Sequence, residues 1–419
     1  MLKEQNKKGL AINTIMLYIL TFSNVLFSFM TVPYQTRVLG PETYGVLGFA
    51  FATITYFQLV LDFGFLVSGT AEIAREKNDP VKIAKICESI LLGKCFLLAV
   101  CAVAMFVLCE TVPAFAEAKT VFWVLLLYSF MNTLIPDFLY RGMEQMQPIT
   151  YRVVLMKLIF TIGVFVFLKE KADYILVPWL YLLGSFVAVV FAYIDVFKRF
   201  KIRLVKITMA DMLGRLKYSF MFFVSRIATT VSSATNTLLI GIVFPGQAEV
   251  GYYTSADKFV TLARQAASPI SDSLYPYMIA NKDFKLVKKI LLTFMPIILA
   301  GSAILFAFAP QICVLVFGAE YAQAAIPLRC LIPVIIFTLP DYIFGFPMMT
   351  PLGVEKYANI SVIVSACFQI VALTILYLTN TFSVVTLCLT TSVTIFITMT
   401  FRIVVVYRAM KKLKGSKEK

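Results

Sequence analysis

The sequence predicts an all-α polytopic membrane protein, with about twelve transmembrane helices in two six-helix lobes around a central cavity. Three observations carry that reading. Hydrophobic residues make up 60% of the chain and charged residues only 15%, against a charged share of about 25% in soluble globular domains, so a water-soluble fold is excluded. Apolar runs of roughly 20 residues, the length of helix that crosses the hydrocarbon core of a bilayer, alternate with short connectors. Most of the 38 lysines and arginines fall in every second connector, the pattern of basic loops retained on the cytoplasmic side.

The spans follow in order over residues 10–31, 44–67, 87–109, 121–140, 151–168, 174–197, 217–244, 251–276, 289–309, 328–350, 357–378 and 383–407. The first follows MLKEQNKKGL, which has the basic start of a signal peptide but no small-residue cleavage site after it, so it reads as an uncleaved helix. With the N-terminus inside, the inner connectors hold Lys3, Lys7 and Lys8, then Arg75, Lys77, Lys82 and Lys85, then Arg141 and Arg152. They continue with Lys198, Arg199, Lys201, Arg203, Lys206, Arg215 and Lys217, a lysine cluster from Lys282 to Lys289, Lys356, and finally Arg402, Arg408 and the lysine-rich tail. Outer connectors keep only Arg37, Lys119, Lys169, Lys171 and Arg329, which places both termini in the cytoplasm. The net charge of +15 follows from this arrangement. Beside apolar spans it attracts the anionic headgroups of inner-leaflet lipids, and no nucleic-acid partner is expected.

The longest basic stretch, KRFKIRLVKITMADMLGRL from Lys198, divides the chain. The expected organisation is an N-terminal six-helix lobe over 1–200, a basic cytoplasmic connector over 201–216, and a C-terminal six-helix lobe with a basic tail over 217–419. A weak repeat supports it: LGPETYGVLGFA from Leu39 resembles FPGQAEVGYYTSA from Phe244, with Gly45 matching Gly251. Each copy follows an odd-numbered span, so the halves would share one orientation and enclose a cavity between two bundles. The eight cysteines lie mostly inside apolar runs without short paired spacings, and read as small buried hydrophobes instead of disulfides or metal ligands. Histidine is absent, so any proton coupling must use Asp or Glu.

Ionisable side chains at membrane depth cost several kcal/mol, and their placement needs a reason. In the seventh span Arg226, Thr230, Ser233 and Thr237 share a helix face, with Asn236 on its flank; in the eighth Thr254, Lys258, Thr261, Gln265 and Ser268 do the same, with Arg264 at the edge. The first span has a thinner stripe of Thr14, Thr21, Asn24 and Ser28. Ser and Thr alone suit ordinary interhelical packing, but Arg226 and Arg264 lie too deep for easy snorkelling and neither has an acidic residue one turn away. They read as lining a cationic cavity for an anionic ligand, with Lys258, Asn236 and Arg37 completing the set. Lys94 and Lys157 lie nearer span ends and read as snorkelling, and Glu72 and Arg75 as solvated. Among the carboxylates, Asp341, deep in the tenth span after Pro340, and Asp62, ending the second, are the candidates for a coupling ion or a salt bridge, with an ordinary helix-start role after a proline kink as the alternative for Asp341. No cofactor or metal is expected beyond proton or sodium coupling.

The blocks FMTVPYQTRVLGPETYGVLGFA, VLDFGF and AEIAREKND resemble the opening of the Wzx-type polysaccharide repeat-unit flippases, which serve O-antigen, capsule or exopolysaccharide assembly. These belong to the multidrug/oligosaccharidyl-lipid/polysaccharide exporter superfamily. The resemblance continues through DFLYRGMEQMQPITYR, LKEKADYILVPWLYLLGS, VGYYTSADKFV, FGAEYAQAAIPLRCL and TPLGVEKYANI. It implies a MATE-like fold in the bacterial cytoplasmic membrane that moves an undecaprenyl-diphosphate-linked oligosaccharide to the outer leaflet by alternating access. Implied partners are that lipid-linked oligosaccharide, membrane lipids, and the polymerase and glycosyltransferases of the same pathway. A cation or drug antiporter of the superfamily would favour carboxylates in its cavity, whereas the deep charges here are mainly basic; a lipid II flippase would share the cationic cavity but usually has extra spans. An enzyme is not expected, because no large outer loop, Asp-rich metal site or glycine-rich nucleotide loop is present.

Overall fold

The computed structural model describes residues 2–77, 79–200, 205, 207–246 and 248–415, and describes no side chains for 2–15, 17–18, 225, 228–229, 231–233 and 412–415. Most of the basic connector before Val205, the end of the lysine-rich tail, and the side chains of Thr14 and Ser233 therefore lie outside the described residues. The rest is helical, with no strand among the described residues. The long helices are α1 (Leu2–Asp62), α2 (Pro80–Thr111), α3 (Lys119–Leu134), α4 (Gln147–Phe167), α5 (Leu176–Phe200), α6 (Met209–Val243), α7 (Ala248–Asn281), α8 (Phe284–Ala307), α9 (Ala325–Phe344), α10 (Lys356–Leu378) and α11 (Val384–Gly415). Gly40, at φ 71, breaks α1 into two arms. Counted so, the long helices among the described residues are as many as the twelve expected spans.

Nine helical stretches among the described residues are long and apolar enough to cross a membrane, and the chain is a multi-pass membrane protein. α6 contributes the shorter apolar stretch Ala234–Val243 among the described residues, and α7, which carries Asp257, Lys258 and Arg264, falls outside those nine. At 35 and 34 residues and about 1.5 Å of rise per residue, each still exceeds a hydrocarbon core of about 30 Å.

Helix starts follow their local sequence. Asp79 accepts from the Val81 and Lys82 amides, and Pro80 takes the first position of α2, where its missing N–H is no loss. Asp283 caps α8 the same way through Lys285 and Leu286. Thr208 and Asp211 form a reciprocal box at the start of α6: the Thr208 hydroxyl accepts from the Asp211 amide, and Asp211 accepts from the Thr208 amide. The internal repeat has a backbone counterpart. Gly40 and Gly246 occupy equivalent positions, five residues before Gly45 and Gly251, and take φ of 71° and 67°, a conformation open to glycine at little cost.

The described chain gathers into two compact units, residues 1–230 with 241–246, and residues 231–240 with 247–419. In the first, α1 stops at Asp62 and a short helix Phe65–Arg75 follows a turn through Phe63 and Gly64 at positive φ. A Cβ on Gly64 would meet that of Phe222 at 2.7 Å, so only glycine lets this turn lie against α6. The fourth expected span is broken as well. α3 ends at Leu134, and a separate short helix, Asp137–Gly142, begins after Pro136.

Two terminal carbonyls of α3 take donors from other helices: the Lys94 ammonium reaches Thr133, and the Tyr193 hydroxyl reaches Leu134 at 3.2 Å. A cation at a helix C-terminus suits the helix dipole. Lys94 is thus an interior residue, 3% exposed, which corrects the expectation that it snorkels. Arg152, read as an inner-connector residue, is 4% exposed and holds Asp137 through two bonds of 2.6 and 3.1 Å. The second unit packs α7, α8, α9 and α11 around Met278, Leu339, Ile343, Met349 and Val406. All eight cysteines are free; four are buried, while Cys95 and Cys367 are exposed on helix faces.

Candidate functional site

In the second unit, side chains from the C-terminal part of α6 and from α7, α9, α10 and α11 line a cavity of about 190 Å³, comparable to cavities that hold a single small ring. From α6, Asn236 on the flank of the polar stripe enters the lining. Its amide donates to the Thr391 hydroxyl at 2.9 Å, and its carbonyl oxygen accepts from Gln369 at 3.0 Å; Thr394 in turn donates to Gln369. α7 contributes Arg264. Asp341 on α9 faces Arg402 on α11 at 2.9 Å. Arg402 also donates to the Asp341 backbone carbonyl and to the Ser361 hydroxyl, both at 2.8 Å.

The charges in this lining do not cancel. Arg264 and Arg402 face one carboxylate, Asp341, which Arg402 already holds, and among the described residues no hydrogen bond or ion pair reaches Arg264. Cation-lined and equipped with amides and hydroxyls, the cavity can receive an anion and the hydroxyls of a polar ligand. Among the described residues no donor reaches the buried Asp341 Oδ1, and such an oxygen costs about 1–3 kcal/mol unless something protonates or coordinates it.

The structure thus brings Asn236, Arg264 and Asp341 together. Arg226, in the first unit, is held by Asp62, the partner that its own helix lacks. Lys258 is half-buried on α7, Arg37 is exposed on α1 shortly before Gly40, and neither is among the side chains lining the cavity. Arg402 is the main residue that sequence reasoning misplaced. Read as an inner-connector charge, it is only 8% exposed, because its guanidinium turns in to satisfy the end of α9 instead of reaching the membrane surface. Gln369, an isolated amide in the apolar run ACFQIVAL, was the unused signal for the polar network.

A second charged cluster lies at the start of α2 and α6. Glu72 is bound by Arg215 instead of being solvated, and Lys85 meets Asp211 at 2.8 Å. The Lys85 ammonium, with the Thr208 amide and hydroxyl, holds the Asp211 carboxyl down at about 2, from 3.8. A depressed carboxyl contributes stability above its ordinary value, and loses it as pH falls through the folded one. The difference in thermal midpoint between the wild type and Asp211→Asn should therefore be constant from about pH 7 to pH 5 and shrink between about pH 4 and pH 2. A difference that shrinks already near pH 6 would contradict this pairing.

Comparison with known proteins places this geometry in a family. A family profile described as "Polysaccharide biosynthesis protein" matches residues 10–282. The "Putative O-antigen transporter" of Escherichia coli (strain K12) is 25% identical over 357 residues, covering 84% of this chain and 86% of that protein. Its namesake from Shigella dysenteriae is 24% identical over 354 residues, covering 82% and 87%. Among solved structures, an inward-facing multidrug resistance MATE family transporter of the MOP superfamily superposes with a TM-score of 0.70 at 17% identity, over 95% of this chain and 99% of that one. The lipid II flippase MurJ in an inward closed conformation gives 0.72 at 13% identity, over 95% and 87%. At such identities the structural likeness is one of fold, all-α and MATE-like. With the profile spanning most of the sequence in one unbroken match, and with the fold the resemblance implied, this chain belongs to the polysaccharide biosynthesis protein family.

Proposed function

We propose that this protein is a flippase of the bacterial cytoplasmic membrane, both termini in the cytoplasm, that carries an undecaprenyl-diphosphate-linked oligosaccharide from the inner to the outer leaflet by alternating access. The observation that carries the reading is the surplus positive charge of the second unit's cavity, centred on Arg264. A diphosphate cannot cross a low-dielectric layer bare, whereas a guanidinium without a carboxylate partner can take phosphate oxygens through two parallel hydrogen bonds. The amides and hydroxyls of Asn236, Gln369 and Thr394 then meet sugar hydroxyls, and the lipid tail stays in the bilayer.

Arg226, held on Asp62 in this structure, exchanges that carboxylate for phosphate when the headgroup arrives, with Lys258 and Arg37 adding long-range attraction. Asp341, with one oxygen lacking a donor, is the seat of any coupling proton or sodium. Membership of a polysaccharide biosynthesis family and the names of the curated relatives, transporters and not enzymes, support this reading; the glycosyltransferases and polymerase of the same pathway are its proposed partners. A drug or cation antiporter shares the fold, but a positively charged cavity repels cations.

In a strain lacking its own flippase, the wild-type chain should restore surface polysaccharide, and its absence should leave lipid-linked repeat units on the inner leaflet. Export of cationic dyes without any change in those units would sink the proposal.

A further inference from the structure

The first unit contains a cavity that the transport reading does not use. It measures about 350 Å³ and opens where the helix Phe65–Arg75 ends and α2 and α6 begin. Its walls come from the end of that short helix and the first three turns of α2 and α6, which, for helices read as spanning segments, places it near the expected depth of lipid headgroups. Three of its four basic side chains are committed: Arg215 to Glu72, Lys82 to Glu76, and Lys85 to Asp211. The fourth, Arg75, is exposed and has no ion pair among the described residues, and Tyr218, 40% exposed, lines the cavity with it. The same helices carry exposed apolar side chains, Val81 at the start of α2 and Leu213 on α6. A polar chamber with one surplus positive charge and apolar side chains on its own helices matches an amphiphile whose head is an anion.

The geometry points to a binding site for the phosphate of an anionic membrane lipid, received by Arg75 with the spare ammonium protons of Lys85 beside it. Such a head enters without breaking the three ion pairs, because Arg75 supplies the guanidinium that none of them uses. The bulk phospholipid of the leaflet and a polyprenyl diphosphate carrier both present this chemistry.

The test needs no transport, so its failure is distinct from failure of the flippase reading. Purified full-length protein is titrated with phosphatidylglycerol, phosphatidylcholine, undecaprenyl diphosphate or inorganic phosphate, and bound ligand is read by native mass spectrometry. Phosphatidylglycerol should be retained over phosphatidylcholine. Arg75→Ala should weaken that retention about five-fold, the worth of one cation at a membrane surface, and Lys288→Ala, an exposed charge on α8, should not. Competition by undecaprenyl diphosphate that also falls with Arg75→Ala would identify the carrier as a second occupant of the same phosphate site. Retention unchanged by Arg75→Ala, or reduced equally by Lys288→Ala, would overturn the site, and so would inorganic phosphate binding as tightly as the lipid.

Discussion

Arg402→Ala is expected to destabilise the protein by about 3–5 kcal/mol, the usual loss when one member of a buried ion pair is removed. The guanidinium joins three helices, since from α11 it donates to the carboxylate and backbone carbonyl of Asp341 on α9 and to Ser361 on α10. Without it Asp341, whose Oδ1 already lacks a donor, keeps a charge with no partner on either oxygen. Thermal unfolding of the purified protein should show a large drop in midpoint for Arg402→Ala. The double replacement Arg402→Met with Asp341→Leu should recover most of it, because apolar residues of similar volume can replace a buried pair. A double variant as unstable as the single one would mean that Arg402 acts through packing and not through charge.

The second large effect is on transport. Arg264→Ala should cut export by about 10- to 100-fold, the value of a lost charge-assisted contact of about 1.5–3 kcal/mol, with little change in stability, because no partner is orphaned. Arg264→Lys should recover only part, since an ammonium cannot bind phosphate through two parallel hydrogen bonds. Arg226→Ala should also impair export but should cost stability too, by leaving Asp62 unpaired; restoring charge balance with Asp62→Asn separates the two effects. Polysaccharide export measured beside membrane-inserted protein level distinguishes them. Normal export from the Arg226→Ala, Arg264→Ala double variant would refute the assignment of both arginines.

Much of the fold is legible in the sequence because hydropathy and loop charge are read one segment at a time. The polar stripes of α6 and α7 are visible at helical spacing, and the residues that line the cavity lie beside them, Asn236 on the flank of one and Arg264 at the edge of the other. The repeat that pairs Gly45 with Gly251 has a counterpart in the backbone, where Gly40 and Gly246 share a positive φ that the repeat alone did not single out. Breaks inside spans were harder: Pro136 marks the end of α3, yet a proline in an apolar run can also kink a continuous helix.

Charge partners were the least legible. Local spacing reports only neighbours three or four residues away, whereas Asp62 and Arg226 are 164 residues apart, and Glu72 and Arg215 are 143 apart. Arg402 and Lys94 look like span-end charges in sequence. Only packing reveals that each turns inward to satisfy a helix C-terminus, Lys94 at Thr133 and Arg402 at Asp341.

Photocrosslinking from the cavity wall tests the central claim most directly. A photoreactive amino acid in place of Ile395, an apolar lining residue, should label an undecaprenyl-diphosphate-linked oligosaccharide. That labelling should be competed by undecaprenyl diphosphate and should fall at least about ten-fold when Arg264→Ala is added. Equal labelling with and without Arg264, or none at all in protein that still exports polysaccharide, would contradict it.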